Sequence, residues 1–246
     1  MIEFKTPIGT LQVKSSYSEM TVKELDTIVE SANDPIEAFH VLTGMEKSKL
    51  RILDLDSIVP FLEFLQKPPL ESVEPCEILR FSEDEVYHLP DIDFKEWGQK
   101  MKACELMSQG KYYSMLSVYL QPIIDGSEFD ADTFEQKNKR YNDLNADSVW
   151  SAIRYMSDQL NAALKKEDKI LQIKPTAEQI AAGIKNFNQL EEFNSIRMVA
   201  KGKPWRYEEV TRLPYSLVFL ELLHNKISAT FERKYAEIIS KKSKKP

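Results

Sequence analysis

Between Lys111 and Leu164 the chain repeats apolar residues at the period of a helix, and this patterning restricts the fold more than any other feature of its 246 residues. Val149, Ile153, Met156, Leu160 and Ala163–Leu164 recur at three- and four-residue steps, while Arg154, Asp158 and Lys165 fall on the other side. A stripe of this length has to be buried against other helices, so the neighbouring segments are read as partners in a helical stack. Composition agrees: only 7 glycines occur, against a usual share of ~7%, which disfavours glycine-rich phosphate-cradling loops. The expected fold class is mainly α, a helical array with a small N-terminal β-hairpin.

The hairpin is read from residues 2–13, where β-formers flank a Pro-Ile-Gly-Thr turn. Thr21, with Glu24 three residues on, marks a capping box and the start of a helix carrying Val22, Leu25, Ile28 and Val29. Asp34 and Pro35 read as N-cap and first residue of a second helix that ends at Gly44. EKSKLRIL and LDSIVPFLEFLQ supply two further helices. The proline-rich QKPPLESVEP reads as a linker, followed by two short strands or edges, EILRF and EVYHL. Asp93 is expected to cap a helix with Phe94, Trp97, Met101 and Cys104 on its apolar side, and Pro122 to stop the helix that begins at Lys111. Thr176 is expected to open another helix, Gly202 to end one, and Pro214 to start a long final one. These signals divide the chain into three stretches: 1–70, hairpin and short helices; 71–168, a central helical unit; and 169–246, a helical segment with a long helix and basic tail.

Charge is unevenly spread. The net charge is −6, but residues 197–246 carry 12 Lys/Arg against 5 Asp/Glu. The basic end is either a solvated face or one that docks on something acidic, including the front of another copy. The short KKSKKP tail lacks interleaved aromatics and does not argue for nucleic acid. No apolar run approaches the ~18–20 residues that a membrane span needs, and MIEFKTPIGT has neither signal- nor transit-peptide character, so the expected location is the cytoplasm. The two cysteines, Cys76 and Cys104, form no CxxC pair and are expected to stay reduced.

Catalytic motifs are missing from the sequence: there is no GxGxxG, Walker loop, HExxH or GxSxG. Each of the three histidines lies in a Glu-x-x-His step: Glu37/His40, Glu85/His88 and Glu221/His224. Two such steps on facing long helices are what a di-iron carboxylate bundle uses. Gly44 and Pro90 break the helices around the first two, however, and the third reads more simply as the wet edge of a packing face. No enzyme activity, cofactor or metal is expected.

The segments TVKELDTIVES and DPIEAFHVLTGMEKSKLRILDLDSIVPFLEFL resemble the opening of tail assembly chaperones of long-tailed bacteriophages, with a short helix leading to VLTG and then to leucines and acids ending in Phe-Leu. YYSMLSVYLQPIIDGSEFDADTF and the aromatic-rich helix after it resemble the centre of those proteins, and LPYSLVFLELLHNKISATFERKYAEI looks like their C-terminal helix. The resemblance covers most of residues 21–240. It implies a non-enzymatic role in the cytoplasm of a bacterial host, binding the tape-measure protein, helping tail-tube assembly and leaving before the particle matures. A structural virion component, such as a head-to-tail connector or tail ring subunit, is the alternative.

Val210, Leu213, Leu217, Leu220, His224, Ile227, Phe231, Lys234 and Ile238 recur at alternating three- and four-residue steps, the spacing of a coiled-coil seam. Phe219, Leu222 and Leu223 widen the apolar face. Leu217, Leu220, Leu223, Ile227 and Phe231 are the candidate protein-binding residues, for a protein partner or for another copy in a homo-oligomer. The other reading folds the whole helix back as core.

Overall fold

The computed structural model describes residues 1–6, 9–31, 34–172, 177–183 and 191–243. In chain order the elements are β1 (Ile2–Thr6), β2 (Gly9–Val13), α1 (Val22–Glu30), α2 (Pro35–Thr43), α3 (Lys47–Leu50), α4 (Leu55–Ile58) and α5 (Pro69–Ser72). There follow β3 (Ile78–Arg80), β4 (Val86–His88), α6 (Trp97–Ser108), α7 (Tyr112–Asp125) and α8 (Ala146–Leu171). The chain closes with α9 (Ala177–Ala181), α10 (Glu191–Val199), α11 (Tyr207–Thr211) and α12 (Tyr215–Ser243). The fold is mainly α with a two-stranded N-terminal hairpin. β1 and β2 pair antiparallel with Ile2 opposite Val13 and Thr6 opposite Gly9, and β3 and β4 form a second small antiparallel pair.

The chain forms two compact units, each built from two separate stretches: Met1–Leu89 with Leu106–Ser157, and Pro90–Glu105 with Asp158–Pro246. The boundary expected near residue 70 falls inside α5 and the one near 168 inside α8. Charge follows the units. The first carries 13 Lys/Arg against 24 Asp/Glu, net −11, and the second 20 against 15, net +5.

In the first unit the inward residues of the hairpin, Leu11 and Val13, join Met20, Leu25, Ile28, Phe39, Leu42, Leu50 and Ile58 in one buried cluster. The Lys14 backbone N–H donates to the Leu42 carbonyl at 3.0 Å, so the strand is fastened to α2 by main chain as well as by side chains. α1 begins at Thr21 with the expected capping box, the Thr21 hydroxyl accepting from the Glu24 N–H and the Glu24 carboxylate from the Thr21 N–H. α2 starts with Asp34 as N-cap and Pro35 as first residue, and ends at Gly44, whose φ of 68° is left-handed and suits glycine. An isolated bridge pairs Thr21 with Asn145, so the residues that precede α1 and α8 lie side by side. The Val22 N–H donates to the Leu144 carbonyl at 2.9 Å and the Ala146 N–H to the Met20 carbonyl at 2.8 Å. On α7, Ser117 is buried between the Tyr141 hydroxyl and the Asn138 side chain, each 2.8 Å away.

The second unit repeats this junction with different residues. Glu96 bridges Pro214, the Trp97 N–H donates to the Leu213 carbonyl at 2.8 Å, and the Tyr215 N–H donates to the Lys95 carbonyl at 2.7 Å. α6 and α12 thus start side by side, and the Trp97 and Tyr215 rings stack at 5.6 Å with 4° between their planes. Around them pack Ala163, Ile196, Ala200, Val210, Val218, Phe219 and Leu222. Lys100, 3% exposed, has its ammonium 4.7 Å from the Trp97 ring centroid and 2.9 Å from Glu167.

Four local expectations are corrected. Asp93 does not cap α6: Asp91 caps a 3-10 turn over Ile92–Phe94, and the extended pairing of Glu96 with Pro214 delays the helix to Trp97. Phe94 is consequently 78% exposed rather than on an apolar face. Pro122 does not stop α7: its ring removes one N–H, but its carbonyl still accepts from the Gly126 N–H, and the helix runs to Asp125 and ends at left-handed Gly126, φ 61°. The helix expected over LDSIVPFLEFLQ is α-helical only through Ile58 and continues as a 3-10 helix, Val59–Gln66. The helix start at Thr176 and the Pro7–Ile8 part of the hairpin turn lie outside the described residues.

The α1 cap is linked to pH. Burial pushes the Glu24 carboxyl up, but hydrogen bonds from Lys14 and the Thr21 backbone outweigh it and hold the group below its ordinary value of 4.5. Its contribution is therefore complete above that value and is lost as pH falls through the lower folded value. Thr21→Ala should cost about 1 kcal/mol of unfolding free energy by chemical denaturation, and Glu24→Gln should flatten the loss of stability on acidification below 4.5.

Candidate protein-binding face

The phase of α12 is set at its start. Pro214 stands before the first turn, where a missing N–H is harmless, and the Tyr215 N–H is turned to the Lys95 carbonyl. Residues advance by ~100° around a helix axis, so Tyr215, Val218, Phe219 and Leu222 share one face, and all four are buried. Further along the same side the Lys226 ammonium donates to the Ile170 and Gln172 carbonyls at 2.5 and 3.0 Å, capping the C-terminal end of α8. One turn on, the Thr230 hydroxyl donates locally to the Lys226 carbonyl at 2.8 Å. From Phe231 to Lys241 every residue is exposed.

The opposite side of α12 carries the candidate binding residues. Leu217 is 43% exposed, Leu220 58%, Ile227 59% and Phe231 65%. Leu223 does not join them: it lies partly buried against the core of the second unit, as does Leu213, while Val210 is fully buried. The apolar stripe instead extends beyond Phe231 through Tyr235, Ile238 and Ile239, all exposed, with the Phe231 and Tyr235 rings stacked at 6.0 Å. Tyr235 and Ile239 were not singled out in the sequence because a strict alternation of three and four passes through Lys234 and Ile238. Exposed large apolar residues in a continuous row, rather than scattered singly, mark an interaction surface.

Of the Glu-x-x-His steps, Glu37 is paired with Lys47, and His40 Nδ1 lies 2.6 Å from the Met45 carbonyl. Glu85 is paired with Arg140 and accepts the Tyr87 hydroxyl, Tyr87 first and Arg140 next holding its carboxyl below the usual range. Glu221 and His224 are exposed on α12. Among the described residues no three His, Cys, Asp or Glu side chains converge as a metal site would require. Cys76 is exposed, Cys104 is half-buried, and the two form no disulfide.

The first unit holds a groove of about 480 Å³ lined by Leu25, Asp26, Val29, Tyr113, Trp150 and neighbouring residues of α7. The Tyr113 hydroxyl donates to Asp26 Oδ1 at 2.9 Å across 87 residues of chain, which is why sequence spacing did not reveal the pair. Burial pushes the Asp26 carboxyl up, against the lowering effect of the Tyr113 bond, and the Glu30 charge adds to the rise. Burial, then the Asp26 charge, pushes the Tyr113 phenol up as well. The Trp150 ring lies edge-on to Tyr113, centroids 5.7 Å apart. The lining also includes Lys111, Ser114 and Asn138, the Asn138 side-chain amide donating to the Ser114 hydroxyl at 2.9 Å.

Comparison with protein-family models, curated proteins and solved structures gives no match to this chain. Among the described residues no helix is long and apolar enough to cross a membrane.

Two measurements check these assignments. Leu222→Ala should cost ~2–5 kcal/mol in chemical denaturation, as a buried leucine does, whereas Leu220→Ala, measured on the dilute single chain, should stay within ~0.5 kcal/mol. Because Asp26 has a raised folded value, its ionisation opposes folding as pH rises above the ordinary 3.8. Asp26→Asn, which keeps an acceptor for Tyr113, should therefore increase stability at pH 7 and reduce its decline between pH 4 and 7.

Proposed function

We propose that this chain is a non-enzymatic assembly chaperone of the phage tail type, which holds an amphipathic helix of a tape-measure-like protein against α12 in the cytoplasm of a bacterial host. The observation that supports the reading is the continuous apolar stripe of α12 that its own core leaves uncovered, from Leu217 to Ile239. A client helix with an apolar seam of its own needs such a stripe, and aromatic residues within it, Phe231 and Tyr235, are the usual anchors of a protein interface. Full burial of each large side chain contributes ~1.5–3 kcal/mol, so several suffice for a micromolar contact once ~4–15 kcal/mol of association cost is subtracted. The net charge of +5 on the second unit favours an acidic client and predicts capture that weakens with salt.

The test is co-expression with the tape-measure protein of the same phage, followed by affinity purification and by proteomics of purified particles beside infected-cell lysate. The tape-measure protein should co-purify with the wild-type chain and at least tenfold less with Leu220→Asp/Phe231→Asp, and the chain should be present in lysate and missing from particles. Stoichiometric presence in particles would overturn the chaperone reading in favour of a connector or tail ring subunit. Undiminished capture by the double variant would remove α12 as the binding face.

A further inference from the structure

The uncovered stripe has the geometry of a seam that fits its own copy. Leu217, Leu220, His224, Ile227 and Phe231 are separated by 3, 4, 3 and 4 residues, the repeat at which two helices wind around one another with side chains interlocked. The repeat reaches Ile238, another seven residues on. Such a row on a straight helix is narrow and convex. It fits another helix with the same repeat, and a two-fold contact between identical rows satisfies that condition automatically.

Three further features point to self-pairing. The segment Phe231–Lys241 continues α12 with every residue exposed, so this end of the helix has little support from tertiary packing within its own chain. With large side chains presenting ~150–250 Å² each, the seven half-exposed apolar residues from Leu217 to Ile239 offer on the order of 700 Å² per chain, close to the ~800 Å² per partner of a standard stable interface. Lys234 lies in the row itself, and the charges beside it in its second half are of both signs, Glu232 and Glu237 with Arg233 and Lys241, so carboxylates stand within reach of the lysines when two copies approach.

We infer that in the absence of a client a second copy of this chain covers the stripe, the two α12 helices forming a two-stranded coiled coil. This inference rests on the reading that the stripe is a binding face, and it names that face's resting partner. The row holds two polar positions, His224 and Lys234; His224, with apolar residues on both sides, acts as a register position, since two imidazoles in one layer fit only a limited set of alignments. A client with a longer apolar seam would compete with the second copy for the same residues.

The experiment uses the full chain. Size-exclusion chromatography with light scattering at ~10–100 μM should give twice the 28.5 kDa chain mass, and Ile227→Asp/Phe231→Asp should give a monomer. Circular dichroism controls for folding: the variant should retain the cooperative thermal transition of the core, because neither position is buried in it. A second variant, His224→Leu, should keep or strengthen the dimer. A wild-type monomer at 100 μM, a mass above the dimer, or a folded double variant that remains dimeric would each overturn the inference. Client capture is read separately in the co-purification assay: a monomeric wild type that still captures the client refutes the self-pairing alone. A dimer dispersed by the double variant while client capture is undiminished removes α12 as the client's face and leaves the self-pairing standing.

Discussion

The pairing of Glu96 with Pro214 is the constraint on which the second unit depends. Two main-chain hydrogen bonds, Trp97 to Leu213 and Tyr215 to Lys95, fix where α6 and α12 begin, and the stacked Trp97 and Tyr215 rings hold the helix starts together. Once the start of a helix is fixed, every later residue's direction follows from the ~100° step. The same bridge that buries Tyr215, Val218, Phe219 and Leu222 therefore turns Leu217, Leu220 and Ile227 away from the core. Core and exposed stripe are two consequences of one junction. The first unit uses the same construction at Thr21 and Asn145, where main-chain bonds join the residues before α1 and α8.

Beneath that junction the second unit buries a charge. Lys100 is enclosed by Trp97, Tyr215 and Glu167, and its ammonium is satisfied by the carboxylate on one side and by an aromatic face on the other. Burial, with the Glu167 charge next, pushes the Tyr215 phenol up, so this ring stays neutral throughout the physiological range. Removing one member of such a group leaves an uncompensated buried charge, which costs more than the pair contributes. The arrangement holds α6, α8 and α12 in one alignment rather than merely adding stability.

Electrostatics separate the two units as clearly as packing does. The acidic first unit contains the Asp26–Tyr113 groove, a polar pair within mainly apolar walls, whereas the basic second unit contains the long exposed helix. Under the proposed reading, an apolar stripe flanked by charges of both signs suits partners that bring an apolar seam of their own. That combination describes a helix–helix contact better than it describes a small-molecule site.

Local chemistry in the sequence determined the mainly α class, the N-terminal hairpin, the Thr21 capping box, the Asp34–Pro35 start and Gly44 end of α2, and the start of α12 after Pro214. Each rests on interactions within a few residues, such as a side chain bonding the next turn, a ring presetting φ, or a glycine at positive φ. The sequence also marked four of the exposed residues on α12, because heptad spacing is a property of one helix. Periodicity shows that two faces are apolar, not which of them the fold covers. That choice required the Glu96–Pro214 junction, 118 residues apart in the chain, which drew Leu223, Leu213 and Val210 to the core and left Tyr235 and Ile239 on the stripe. Asp26 and Tyr113, and Lys100 and Glu167, were likewise invisible in the sequence, because nothing local in a chain records which distant charge will share its burial. Tertiary structure alone decided those pairings, since only the folded chain excludes the water that would otherwise screen them.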